Sequence, residues 1–183
     1  MSDLFENRIA HLEQILRSHQ HDGLSSDPLR NQDLQQIGKI VLGVAATSLS
    51  IAIPPRRYLR VLIACGAKSG ASDDYLRFNA DSGSNYTTTT GVSQAQIDIR
   101  NTANSALGFF SIIEIANKLS TLVKPCFLHT VNRITSAATA ISSYALFASW
   151  VNTTAFINAV SLTSSGAATY PVGTELLVFG NKQ

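Results

Sequence analysis

Residues 58–65 read YLRVLIAC, and this stretch decides the fold. Leu59, Val61, Ile63 and Cys65 alternate with Tyr58, Arg60, Leu62 and Ala64. A period of two places these sets on opposite faces of an extended chain, whereas a surface helix would bring its apolar positions back every three or four residues. The segment is therefore a strand with one face more deeply buried than the other. Upstream, Pro54 and Pro55 separate it from a second β-branched run at residues 48–53, and Ala45-Ala46-Thr47 separates that run from a third at 40–44. Downstream, a loop of small and acidic residues (66–74) leads into a second alternating strand at 75–79, with Leu76 and Phe78 on one face.

The same punctuation continues to the end of the chain. Residues 81–91 are rich in turn formers, and strands are expected at 95–101, 108–115, 125–132, 142–152, 155–163 and 174–180. That gives about nine or ten closely spaced strands without intervening amphipathic helices, a pattern of stacked antiparallel sheets and not of a parallel α/β fold. The expected fold class is mainly β, a jelly-roll-like antiparallel sandwich. One segment stays open: in residues 104–122, Phe109, Ile112, Ile113 and Ala116 also fit a helical stripe.

Composition agrees with this. Of 183 residues, 45% are hydrophobic and only 14% charged, so Ser and Thr, 21 and 15 in number, must complete the wet surface. That mixture suits strands and turns better than a helical bundle, whose exposed faces need more Glu, Lys and Arg. A net charge of +2, with the basic residues beyond Asp98 dispersed, does not supply the concentrated cationic stripe that nucleic acid requires. No stretch approaches the roughly 20 apolar residues of a membrane helix. Neither nucleic acid nor membrane is expected as a partner. The opening residues are charged and lack the apolar run of a secretory signal, so synthesis in a reducing cytoplasm is expected. Cys65 and Cys126 lie in apolar strands and read as buried free thiols, with a single long-range disulfide as the alternative.

The N-terminal segment is of another kind. Phe5, Ile9, Leu12 and Leu16 recur at spacings of four, three and four, the stripe of an amphipathic helix over residues 2–17. Ser2 can cap it, with Asp3 and Glu6 in its first turn and Arg17 in its last, as the helix dipole favours. A helix of about four turns is marginal alone, so its stripe should be buried against other chains or against its own subunit. Residues 19–31, HQHDGLSSDPLRN, break both periodicities and form an extended arm carrying His19, His21 and Asp22. The chain thus divides into a helix and arm at 1–36, serving assembly, and a β knob at 37–183.

Few groups suggest chemistry. The sequence has no nucleophile elbow, phosphate-binding loop or zinc helix. Carboxylate pairs could be drawn from Asp73, Asp74, Asp81, Asp98, Glu114 and Glu175, but Asp73-Asp74 falls in a Ser/Gly loop and Glu175 opens the final strand, both ordinary places for solvated acids. Residues 81–85, DSGSN, loosely resemble a calcium loop but fit better a tight turn with Gly83 at positive φ. His19 and His21 would point to one side of an extended arm, and three such pairs around a threefold axis would offer six nitrogen ligands; a solvated HxH is the plainer expectation. No catalytic residue and no cofactor are expected.

The arm HQHDGLSSDPL, the stretch RFNADSGSNY (residues 77–86) and the closing GTELLVFGNK (173–182) together resemble segments of trimeric decoration or cement proteins and fibre-type virion structural proteins of tailed bacteriophages. The resemblance covers roughly a fifth of the chain. It implies a β knob, a homotrimer and an N-terminal segment that docks on the virion. The expected function is then a capsid decoration protein on the capsid surface, with the major capsid protein as partner. The alternative is a tail-fibre or receptor-binding knob, attached to a tail or baseplate protein and stacking host glycans on Tyr75, Tyr86, Trp150 or Tyr170. It also implies that Arg77, Asn79, Asp81, Gly83, Asn85 and Tyr86 form a structural turn.

Overall fold

The structure, a computed structural model, describes residues 34–89, 91–100, 106–117, 123–134 and 142–181. The helix and arm read from residues 1–33, including Phe5, Ile9, Leu12, Leu16, His19, His21 and Asp22, lie outside the described residues.

Among the described residues, twelve strands follow in chain order: β1 (Leu34–Val41), β2 (Ser48–Ala52), β3 (Tyr58–Cys65), β4 (Asp74–Phe78), β5 (Tyr86–Thr88), β6 (Gly91–Gln94), β7 (Ile97–Asp98), β8 (Gly108–Ala116), β9 (Lys124–Ile134), β10 (Ser142–Trp150), β11 (Ala159–Ser164) and β12 (Glu175–Asn181). They form an eight-stranded sheet in the order β1-β12-β3-β8-β9-β10-β5-β6 and a four-stranded sheet in the order β2-β11-β4-β7. Every pairing is antiparallel. The mainly β, antiparallel class read from the sequence is what the described residues adopt.

Alternation explains the core. In β3, Leu59, Val61 and Ile63 have no exposed surface and Cys65 almost none, while Tyr58, Arg60, Leu62 and Ala64 are only partly covered. Leu176 and Val178 of β12, Phe109, Ile113 and Ile115 of β8, and Leu146 and Trp150 of β10 extend the same buried layer across the large sheet. Leu49, Leu76, Phe78, Ile97, Val160 and Leu162 of the small sheet complete one hydrophobic cluster with it. A polar pair inside is satisfied within the core: the Thr130 hydroxyl donates to Ile99 O at 2.6 Å, and the Ser111 hydroxyl lies 2.7 Å from it.

Several expectations are refined. The segment left open between strand and helix is strand β8, because Phe109, Ser111, Ile113 and Ile115 point inward at a period of two while pairing with β3 and β9 occupies both backbone edges. The first strand starts at Leu34 and includes a bulge between Gln36 and Gly38, earlier than the run at 40–44 suggests. The turn-rich stretch contains β5 and β6, a short polar ribbon at the sheet edge. The expected strand at 155–163 begins only at Ala159. Residues before it are held by side chains instead: Asn117 donates to Ile157 O and accepts from Ile157 N, at 3.1 and 2.8 Å.

Cys65 and Cys126 are free and buried, as expected. They pair with Phe109 and Ile115, so they face opposite ends of β8, about 20 Å apart at strand rise, too far for a disulfide. Burial pushes the thiols up to about 11 and about 12 respectively.

Ile113 is fully buried on β8, between two neighbouring strands. Ile113→Ala is expected to lower stability by about 2–5 kcal/mol, seen as a lower urea midpoint with an unchanged m-value.

Candidate functional site

Two polar clusters bring together residues distant in sequence. The first is centred on Asp74, which opens β4 with a side chain that has no exposed surface. Lys68 Nζ reaches its Oδ1 at 2.9 Å and also donates to Ser72 O and Ser72 Oγ at 2.7 and 2.6 Å. Arg100 pairs with the other carboxylate oxygen and donates to Leu107 O at 3.0 Å and Ser72 O at 3.3 Å. The Lys68 ammonium lies 5.7 Å from the centre of the Tyr170 ring, and the Arg100 guanidinium 4.8 Å from that of Phe109. Burial lowers the Lys68 pKa, and Asp74 opposes the shift. Tyr170 is pushed up by burial and then by the Asp74 charge. With the three charged side chains at most 1% exposed, this group is sealed from solvent. It can tie the 66–73 loop to the strand ends beside it, but it cannot meet a substrate.

The second cluster is the turn at 77–86. Asp81 accepts from Gly83 N at 2.9 Å, from Asn85 Nδ2 at 3.0 Å and from the distant Trp150 Nε1 at 2.7 Å. The Tyr86 hydroxyl accepts from Phe78 N at 2.9 Å and donates to Asp81 O at 3.2 Å. The rings of Tyr86 and Trp150 pack on Phe78 with centroids 6.1 and 6.0 Å away. Lys124 caps the Trp150 ring at 5.1 Å and bonds Asn152 O. Residues 81–85 thus form the tight turn expected in preference to a calcium loop, and N–H donors occupy the Asp81 oxygens a cation would need. Burial raises the Asp81 pKa, but the donors Trp150, Gly83 and Asn85 outweigh it and hold the carboxyl below its ordinary value.

The residues expected in this turn divide between two tasks. Asp81, Gly83, Asn85 and Tyr86 do build it. Asn79 staples it to the chain before β11, donating to Phe156 O at 2.7 Å and accepting from Asn158 N and Ala159 N at 2.8 and 3.0 Å. Arg77 instead reaches Gln96 Oε1 at 2.5 Å. Gly83 is not at positive φ; the left-handed residues are Asn79 and Ala80, at 53° and 57°. Gly83 is needed for space, because an added Cβ would lie 3.0 Å from Asn85 Nδ2 and 3.2 Å from Asp81 Oδ1. Trp150 is the partner that sequence reasoning missed, 69 residues from the carboxylate it anchors.

Other candidates separate. Glu114 pairs with Arg60 at 2.5 Å and Glu175 with Lys39 at 3.4 Å, while Asp73 accepts from the Tyr75 hydroxyl at 3.3 Å. Partial desolvation, then the Asp73 charge, raises Asp98. Of the aromatics suggested for glycan stacking, Tyr86, Trp150 and Tyr170 are at most 1% exposed, which removes them from any surface. No group of His, Cys, Asp and Glu able to hold a metal occurs among the described residues. No helix among them is long and apolar enough to cross a membrane.

The outward face of the large sheet is mostly apolar, with a few charged and polar residues set among the apolar ones. Register defines cross-sheet rows: Phe179, Arg60, Glu114, Phe127 and Phe147 in one, Leu177, Leu62, Ile112, His129 and Ala145 in the next. Phe147 is 64% exposed and Phe127 39%, with ring centroids 5.1 Å apart. Comparison with family models, with curated proteins and with solved structures finds no match.

Asp74→Asn would leave two buried cations facing each other, whereas Lys68→Met keeps the Asp74–Arg100 pair. The first is expected to cost about 3–5 kcal/mol and the second less, a ranking that denaturant melts of both variants will check. For Asp81, a folded pKa below the ordinary value of 3.8 means its stabilisation is present above that value and lost as pH falls through the lower folded one. Asp81→Asn should therefore flatten the acid limb of a stability–pH profile; an unchanged limb would show that the turn contributes nothing to acid sensitivity.

Proposed function

We propose that this chain is a virion structural protein: a capsid decoration protein, not an enzyme, that binds the capsid surface as a homotrimer and stabilises the shell. The observation that carries this reading is the division between inside and outside. The densest ionic cluster, Lys68, Asp74 and Arg100, is sealed from solvent, and the broad outward face of the large sheet offers mostly apolar contact with its Arg60–Glu114 and Lys39–Glu175 charges paired. A protein whose work is holding neighbours together needs a stiff body and a sticky face, and has no use for a solvated polar cleft.

Strand order supports the finer reading of a jelly-roll sandwich. β12 lies between β1 and β3 in one sheet while β11 lies between β2 and β4 in the other. Such nested pairing of early with late strands is what a long folded hairpin wrapped into two layers produces. The resemblance of residues 77–86 and 173–182 to phage virion proteins points the same way. The tail-fibre alternative loses most of its support with the burial of Tyr86, Trp150 and Tyr170.

In this reading residues 1–23, with the stripe Phe5, Ile9, Leu12 and Leu16, anchor the protein on the major capsid protein. Particles lacking the protein should break at lower temperature and regain resistance when it is added back. Deleting residues 1–23 should abolish attachment while the circular dichroism of the knob stays unchanged. Normal decoration by the truncated chain, or equal heat resistance of bare particles, would sink the proposal.

A further inference from the structure

We infer that the outward face of the eight-stranded sheet, centred on Phe127 and Phe147, is the surface on which a second copy of this chain docks. The inference rests on the structural-protein reading and adds to it a twofold, face-to-face contact between copies, separate from the contacts of the proposed trimer.

The face is continuous because register makes it so. Residues on β3, β8, β9, β10 and β12 whose neighbours in sequence fill the core must point the other way. These include Leu62, Ile112, Phe127, Phe147 and Leu177, which come together across five adjacent strands. A further row adds Ala64, Phe110 and Val131. At about 4.8 Å between strands and about 6.7 Å between rows, the patch from β1 to β10 projects to roughly 500 Å², and more in accessible area once side-chain relief is counted. The whole face, with Lys39, Arg60, Glu114 and His129 among its apolar residues, thus approaches the roughly 800 Å² that each partner contributes to a standard interface.

Size and charge select the occupant. An amphipathic helix over residues 2–17 would be about 24 Å long and about 10 Å wide, so it would cover only half the patch and leave the rest wet. A sheet face of equal breadth covers it all. The charges on the face are already matched, Arg60 with Glu114 and Lys39 with Glu175. A face neutralised within itself meets no like-charge repulsion from its own copy and gives a polyanion nothing to grip. The Phe127–Phe147 pair projects furthest and supplies the aromatic anchor that such contacts concentrate their energy in.

The test uses the full chain, with mass measured by light scattering over a concentration series. The wild type should run as a multiple of its 19.6 kDa chain mass. Phe147→Glu and Phe127→Glu should each weaken association about tenfold or more, with unchanged circular dichroism and melting. Val172→Glu is the control: Val172 is 63% exposed but lies in the loop before β12, so its substitution should change nothing. Association that survives both Phe variants, or that Val172→Glu disrupts equally, overturns the inference. So does association abolished by Leu12→Glu but insensitive to Phe147→Glu, which would assign it to the N-terminal stripe. A chain that decorates particles as a monomer overturns this interface and leaves the structural reading standing. A chain that associates through this face but binds no particle does the reverse.

Discussion

Asp74 enters β4 as a carboxylate with no surface in water, and an anion in that position persists only because Lys68 and Arg100 reach both of its oxygens. Much else is set by this meeting. Lys68 fixes the 66–73 loop through Ser72, whose hydroxyl also lies 2.5 Å from that of Ser164 at the end of β11. Arg100 carries the chain leaving β7 to Leu107, just before β8. One buried charge thereby joins loops of the small sheet to a central strand of the large one. The desolvation of three charged groups is offset by hydrogen bonds at nearly every donor position and by the Tyr170 and Phe109 rings stacked over the cations. Such an arrangement favours a single packing of the two sheets, since any slip would leave a buried charge without its partners.

The Asp81 turn does similar work at another edge of the molecule, with different means. There the anion is met by neutral donors, and three aromatic rings cover the junction. Asn79 and Asn117 complete the bracing by using both ends of their amides on the backbone before β11. Polar side chains in this protein are thus spent on positioning irregular backbone. Loops fixed in this way need little exposed charge, which is how a chain with 14% charged residues keeps long connections ordered. The two faces of the large sheet then differ in kind: the inner one fills the shared core, and the outer one is apolar with its few charges paired.

Much of the strand inventory was legible in the sequence, because period two is a local signal. The alternation in residues 58–65 gave β3 to the residue, and Pro54-Pro55 gave the gap before it. Legibility failed where a strand carries no apolar contrast. β5 (Tyr-Thr-Thr) and β6 (Gly-Val-Ser-Gln) are three and four residues long and mostly Thr, Ser, Gly and Gln, which look like turn residues until a neighbouring strand supplies the ladder. In β8, Ser111 interrupts the apolar row at an inward position, and only its bond to Thr130 on β9 makes that polar residue acceptable in the core. The turn at 77–86 was legible as a turn and misread in detail, since backbone handedness at Asn79 and Ala80 is imposed by the staple to residues 156–159.

By itself, then, the sequence determined that the knob is β, which residues of each clear strand turn inward, and that its cysteines lie in apolar strands. Those properties follow from side-chain alternation and from burial of apolar surface, both of which are written within a few residues of one another. The tertiary structure alone decided the order of strands in two sheets and the partners of Asp74 and Asp81. It alone decided that Tyr86, Trp150 and Tyr170 are interior, and that Phe127 and Phe147 stand side by side on an open face. These depend on contacts between residues tens of positions apart, which are fixed by packing and register across the whole sheet and leave no mark in any local stretch of chain.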